Sequence, residues 1–259
     1  MEQAYVLRSD AGGVCTLTLN RGAQYNALSM AMIENLQAAL DAVAGDESVR
    51  VIVLAGDGKA FCAGHDLKEM RMHSEKAFQQ TLFRACGKLM MRITQLPQPV
   101  IARVHGIATA AGCQLVSMCD LAVAADTSKF AVSGINLGLF CSTPSVGLSR
   151  NMGRKQAFEM LVTGDFIDAL EAQRRGLVNR VVPLDALDAE IARYTSSIVA
   201  KSPLAIKMGK ELFYSQLEMG LESAYQLAAE TMACNMMTGD AHEGIDAFIE
   251  KRKPVFTGK

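Results

Sequence analysis

The chain has 259 residues, 50% of them hydrophobic, and a formal net charge of -1, so it can bury one large core or a core with a helical appendage. It has no basic block that would favour nucleic acid or an anionic membrane surface, and no apolar run approaches the roughly 18 residues needed to span a bilayer. Seven cysteines with no C-x-x-C pair, most in apolar surroundings, and a polar start MEQAYVLRSD without a secretory signal predict reduced core thiols in a cytoplasmic protein, with no metal and no disulfide framework.

In chain order, Tyr5 to Arg8 and Val14 to Asn20 are β-like runs joined by Asp10-Ala11-Gly12-Gly13, a strong hairpin signal. Asn20 to Leu28 (NRGAQYNAL) reads as a loop in which Asn26 can form the turn. Ser29 then caps a helix to about Val43, with Met32, Ile33, Leu36, Leu40 and Val43 on one face. Val49 to Ala55 (VRVIVLA) is nearly all apolar, as expected of a strand buried on both faces. Gly56 to Met70 (GDGKAFCAGHDLKEM) reads as a loop, and Glu75 to Gln95 as a helix ended by Pro97 and Pro99 before the strand Val100 to Val104.

His105 to Gly112 holds only small side chains after its first residue apart from Ile107, so something must come close to that backbone; the apolar spacing of Cys113 to Cys119 makes it feed a helix. The first N–H groups of such a helix have no partner inside it and favour partial negative charge. Leu121 to Ala125 and Lys129 to Val132 make another strand pair, followed by a glycine- and serine-bearing region, Gly134 to Gly147. Beyond Arg154 the pattern is almost wholly helical: Lys155 to Thr163, Asp168 to Arg175, Leu184 to Ala200, Pro203 to Gln216 with Ser202 as cap, Leu221 to Met237, and Asp240 to Lys251.

Three stretches carry a family resemblance. HGIATAAGCQLVSMCD resembles the signature H-G-x-A-x-G-G-G-x-x-L-x-x-x-C-D of the crotonase superfamily, the enoyl-CoA hydratase/isomerase family, through His105, Gly106, Ala108, Gly112, Leu115, Cys119 and Asp120. GDGKAFCAGHDLKEM resembles its G-x-G-x-x-F-x-A-G-x-D-[IL]-x-x-[ML], and NRGAQYNAL its N-R-P-x-x-x-N-A-L with Gly22 in place of proline. The segment RRGLVN, Arg174 to Asn179, and the ending FIEKRKPVFTGK also resemble the family, so the likeness spans nearly the whole chain.

The resemblance implies an α/β fold: a crotonase-like spiral of repeated strand-strand-helix turns over residues 1–183, carrying the CoA-thioester site, and a C-terminal helical region over 184–259 that packs between subunits of a homotrimer or homohexamer. It implies an acyl-CoA thioester as ligand, with coenzyme A as part of the substrate and no separate cofactor. By resemblance the N–H groups of His65 and Ala111 form an oxyanion hole, and Ala111 in place of glycine is tolerable if its φ stays negative. Gln24, Tyr25 and Ala63 would meet the nucleotide or pantetheine by backbone, Gly64 and Gly112 would shape the two loops, and Asp66 and Leu67 would complete the second one. Lys251, Arg252 and Lys253 either meet the phosphates of coenzyme A or complement the dipole of their own helix.

The chemistry departs from the family. Hydration of an enoyl thioester uses one group to activate water and another to protonate the α-carbon. The two glutamate positions fall on Gln114 and Gly134, neither of which exchanges a proton near neutral pH. Isomerase members that keep only the second glutamate are unmatched for the same reason. Cys141 falls where a decarboxylase branch carries tyrosine, and that branch also has A-G-H-D, here Ala63 to Asp66; Asn136, Ser142 and Thr143 are candidates to bind a polar acyl group. The expectation is an acyl-CoA-binding family member that stabilises a thioester enolate through backbone donors, with doubtful hydratase activity. The alternatives are a decarboxylase-like enzyme and a non-catalytic CoA-thioester binder.

Overall fold

The structure, a computed structural model, describes residues 4–259, so the first three residues of the proposed 1–183 unit lie outside it. Strands β1 (Val6–Ala11) and β2 (Val14–Leu19) form the expected hairpin, in register from Val6 opposite Leu19 to Ala11 opposite Val14. Its turn is made by Gly12 and Gly13 at φ 56° and 82°, a left-handed pair that matches the twist of the strands. Helix α1 (Met30–Ala44) starts where Ser29 accepts a hydrogen bond from the Met32 N–H and buries the five apolar residues of its spaced face. Strand β3 (Val51–Gly56) follows, buried on both faces as its composition requires. Ile52 and Leu54 join the main core, whereas Val51 and Val53 join a second core on the opposite face of the sheet.

Two short strands escaped the sequence reading, β4 (Ala60–Cys62) and β6 (Ile107–Thr109), because three residues are too few to show a period. They explain the fold. Each turn of the spiral sends one strand to each of two sheets. β3, β5 (Val100–Val104), β7 (Leu121–Ala125) and β10 (Arg180–Val182) lie in a six-stranded sheet of order β1-β2-β3-β5-β7-β10. Their partners β4, β6, β8 (Lys129–Ala131) and β9 (Ile167–Asp168) build a four-stranded sheet in that order. From β3 onward the strands within a spiral turn are therefore not hairpins but corners between sheets, and strands of successive turns pair in parallel, as β3 with β5 and β4 with β6, except that β8 pairs antiparallel with β9.

Helices close the turns. α2 (Leu67–Met72) begins inside the stretch read as a loop, where Asp66 accepts from the N–H groups of Lys68 and Glu69. α3 (Lys76–Gln95) and α4 (Ala111–Met118) sit against the main core, α4 buried from Ala111 to Ser117. The glycine- and serine-bearing region holds a further helix, α5 (Ser142–Asn151), with buried Pro144 in its first turn, where a missing N–H costs nothing. α6 (Arg154–Thr163) and α7 (Ala169–Arg174), the latter capped by Asp168, complete the spiral. α8 (Leu187–Val199) lays Leu187 and Ile191 over the second core. The remaining helices, α9 (Pro203–Gln216), α10 (Leu221–Met236) and α11 (Gly239–Ile249), start close to their sequence-predicted positions, and Ser202 accepts from the Ala205 N–H as cap of α9. Among the described residues no helix is long and apolar enough to cross a membrane, and no cluster of three or more potential ligand side chains could hold a metal ion.

Candidate active site

Three loops converge where the two sheets meet. Asn26, fully buried at φ 54°, is the turn former of the first loop: its Nδ2 reaches the carbonyls of Asp57 (2.8 Å), Ala60 (2.9 Å) and Phe61 (3.1 Å), and its Oδ1 accepts from the Arg21 N–H. One side chain thus ties the first loop to the second. The Ala63 N–H donates to the Tyr25 carbonyl at 3.0 Å, while Gln24 and Tyr25 keep their side chains exposed. Leu67 is also exposed, at 52%, and Asp66 holds the start of α2.

The orientation of the His65 amide follows from its neighbours. Leu28 bridges to His65 in parallel, donating to the Gly64 carbonyl (2.8 Å) and accepting from the Asp66 N–H (3.3 Å). In that pattern the flanking residues make the bonds, so the N–H of His65 points away from Leu28. Gly64 makes the bend at φ +93°, and a Cβ placed on it would lie 2.8 Å from the Ala110 Cβ and 3.3 Å from the Ala111 nitrogen. The second loop is therefore in direct contact with the third, beside the first residue of α4. Among the described residues neither the His65 nor the Ala111 N–H has a partner in the chain; that of Ala111 is one of the orphan donors of a helix start.

The third loop shows which of its small residues are obligatory. A Cβ at Gly112 would fall 2.0 Å from the Cys62 carbonyl oxygen, so the backbone of α4 rests directly on β4. Ala111 takes an ordinary helical conformation. The unusual geometry falls one residue earlier, on Ala110, at φ 50° and ψ -120°, a region natural to glycine and strained for alanine. The sequence carries this signal, since Ala110 stands at the first of the three glycines in the family signature, but only the backbone shows which of the two alanines bears the strain.

Gln114 and Gly134 are the two positions at which the resemblance expects acids. Gln114 is 3% exposed, one turn into α4, and its Oε1 is buried without a hydrogen-bond partner among the described residues. Gly134 is enclosed: a Cβ there would lie 2.7 Å from both the Cys141 Sγ and the Leu139 carbonyl oxygen. The thiol of Cys141 thus fills the volume into which a side chain at 134 would grow. Burial pushes that thiol upward in pKa, against the lowering effect of a hydrogen bond from the Gly134 backbone, so it is held as a thiol rather than a thiolate near neutrality.

His65 packs edge-on against Phe83, with ring centroids 5.3 Å apart, and its Nε2 is buried without a partner among the described residues. Burial alone pushes its pKa down to about 4, so the imidazole is neutral at physiological pH. The other polar candidates are spoken for locally: the Asn136 amide lies against Gly164, the exposed Ser142 hydroxyl donates to the Phe140 carbonyl, and Thr143 is half-buried. In the C-terminal basic run, Arg252 is engaged by both carboxylate oxygens of Glu243, at 2.6 and 2.8 Å, and by Glu250, leaving Lys251 and Lys253 exposed.

A doubly layered spiral of mostly parallel strands, with two backbone amides at the contact of its second and third loops, defines a crotonase-type α/β protein. Residues 9–259 match the family model described as enoyl-CoA hydratase/isomerase, and the chain belongs to that family. It is similar to the crystal structure of an enoyl-CoA hydratase from Mycobacterium smegmatis, with 60% identity, 98% of this chain and 99% of that one covered, and a TM-score of 0.97. The mouse enoyl-CoA hydratase domain-containing protein 3, mitochondrial, is 44% identical over 95% of this chain and 82% of its own. The Escherichia coli 2,3-dehydroadipyl-CoA hydratase is 36% identical over 95% of this chain and 96% of its own.

These relatives correct one expectation. The mouse, rat, frog and human relatives are all named mitochondrial, which overturns the cytoplasmic placement. Reduced core thiols had suggested the cytosol, yet they mark any reducing compartment and do not separate the cytosol from a mitochondrial matrix.

Proposed function

We propose that the chain binds acyl-CoA thioesters and holds the thioester oxygen between the N–H groups of His65 and Ala111, while hydrating enoyl thioesters poorly. The observation that supports this reading is the contact of Gly64 with Ala110 and Ala111, next to two backbone N–H groups without a partner among the described residues, together with a neutral Gln114 and an enclosed Gly134 that supply no acid–base pair. Donors fixed in place before the reaction stabilise negative charge on a thioester oxygen without reorganising. Gln24, Tyr25 and Ala63 would line the path of the pantetheine and nucleotide by backbone, with Gly64, Asp66, Leu67 and Gly112 shaping the loops. Coenzyme A is then part of the ligand, and no other cofactor enters.

Titration calorimetry with butyryl-CoA should show binding, and loss of crotonyl-CoA absorbance should run well below the roughly 10 per second of an ordinary enzyme. No heat at millimolar ligand, or ordinary hydratase turnover, would refute the respective half of the proposal.

A second reading is favoured by one specific contact, the Cys141 thiol beside Gly134. Loss of CO2 from a malonyl-type thioester breaks the carbon–carbon bond and leaves its electron pair as an enolate, so no base is needed. The two N–H groups would hold the enolate oxygen, and a proton from the Cys141 thiol or a water beside it would complete the product at the α-carbon. Malonyl-CoA turnover in deuterated water, read as deuterium at the α-carbon, distinguishes this from the non-catalytic binder, which would leave every thioester intact.

The assembly we propose is a homotrimer or homohexamer joined through the region from residue 184. It is supported by the apolar surface left open there, including Leu221 (75% exposed), Tyr225 (70%), Phe248 (85%) and Ile249 (70%). Light scattering that reports a single chain at micromolar concentration would overturn it.

A further inference from the structure

We infer that Lys210 and Tyr214 of α9, acting through Asp120, position the oxyanion end of α4 from its opposite end; the inference rests on the oxyanion reading above. Asp120 ends the C-D of the signature, two residues beyond α4, and lies at the centre of a buried cluster. Its Oδ2 accepts from the Val100 N–H at the start of β5 (2.6 Å) and from the Lys210 Nζ (2.7 Å), and its Oδ1 accepts from the Tyr214 hydroxyl (2.7 Å). The Lys210 ammonium, 7% exposed, spends its other donors on the carbonyls of Ile93 and Gln98, each at 2.9 Å. An ammonium has three donors, and all three are used.

This cluster joins four elements: the end of α3, the start of β5, the end of α4 and the middle of α9. α4 between its two ends is eight residues and wholly buried up to Ser117. At the front it is pressed onto the Cys62 carbonyl at Gly112 and strained at Ala110. Strain of this kind persists only where the surrounding structure fixes the backbone. Asp120 provides that hold, and the C-terminal helices provide the charge and hydroxyl that fix Asp120. Lys210 and Tyr214 are positioning residues, since neither lies at the loops that would meet a thioester.

The test compares wild type, Tyr214→Phe, the charge-balanced double variant Lys210→Met with Asp120→Asn, and the control Lys207→Met on the exposed side of α9. Two quantities are read for each: the ratio of affinities for butyryl-CoA and for free coenzyme A, and the infrared carbonyl stretch of bound, carbonyl-labelled butyryl-CoA. A loss of folded fraction lowers both affinities together and cancels in the ratio, so a merely structural role would move neither readout. The ratio should fall roughly tenfold in the double variant and about threefold in Tyr214→Phe, as a displaced donor loses the carbonyl but not the nucleotide. The bound carbonyl band should move back toward its free position in both, and Lys207→Met should match wild type. If the double variant does not fold, Tyr214→Phe decides alone. A band displaced in wild type that stays displaced, with an unchanged ratio, in the folded clamp variants would overturn the inference. A wild-type band that never leaves its free position would overturn the oxyanion reading and the inference with it.

Discussion

The contact between the second and third loops and the side chains at the candidate acid positions are built on opposite terms. At the contact, what matters is backbone: Gly64 bends at φ +93°, Gly112 leaves no room for a side chain over Cys62, and two amides are left without partners. For the candidate acid–base groups, what matters is side chains, and those present are neutral: Gln114 with an Oε1 that has no partner among the described residues, His65 held uncharged, and Cys141 held as a thiol. Backbone donors ask for no particular side chain at His65 or Ala111, only for glycine at 64 and 112, whereas proton transfer is lost with a single atom exchange from carboxylate to amide. The comparison teaches that, on the proposed reading, binding and polarisation of a thioester rest on different atoms from those that hydration needs.

The strongest test of the steric half is Gly112→Val. With a Cβ only 2.0 Å from a backbone oxygen, the strand or the helix must move, and the variant should lose about 4 kcal/mol or fail to fold, read by chemical denaturation and soluble yield. A variant that melts with the wild type would show that α4 does not rest on β4 as described.

Titration of His65 tests the electrostatic half. Its folded pKa of about 4 lies below the ordinary 6.5, so the unfolded chain takes up a proton first as pH falls. The contribution of the neutral ring is complete above pH 6.5 and is lost progressively between 6.5 and about 4. Over that window His65 should account for about 3 kcal/mol of the pH dependence of unfolding. His65→Phe should flatten the curve there, as followed by denaturant melts at stepped pH; an unchanged slope would mean that the ring is hydrated and titrates normally.

Gly134→Glu sharpens the comparison at the candidate acid positions. Installing the second family acid alone should cost roughly 2 kcal/mol in a thermal melt, because its Cβ meets the Cys141 Sγ and a backbone oxygen at 2.7 Å. The same substitution with Cys141→Gly should recover part of that loss. For this reason Gln114→Glu is the cleaner first attempt to restore hydration, assayed with crotonyl-CoA.

The smallest expected effect is a gain. Ala110→Gly removes the cost of φ 50° and should raise stability by about 1 kcal/mol, seen as a higher melting temperature, since relief of left-handed strain exceeds the added flexibility of glycine. A drop would place the Ala110 methyl in a contact worth more than the strain.

Much of this was legible in the residues. The VRVIVLA run declared a strand buried on both faces, the spaced apolar residues after Ser29 declared α1, and the three motifs declared the family. Each of those signals is local, a period, a cap or a glycine, and is therefore written in consecutive positions. What the sequence could not show were relations between distant residues. β4 and β6 are too short to carry a pattern and exist because successive turns of the spiral pair with one another in parallel. α5 hid behind serine, glycine and proline because tertiary packing, not propensity, holds it. Which alanine bears the strain, which thiol closes the space at Gly134, and which lysine reaches Asp120 from ninety residues away were decided only when the spiral closed, since each depends on atoms brought together across the fold.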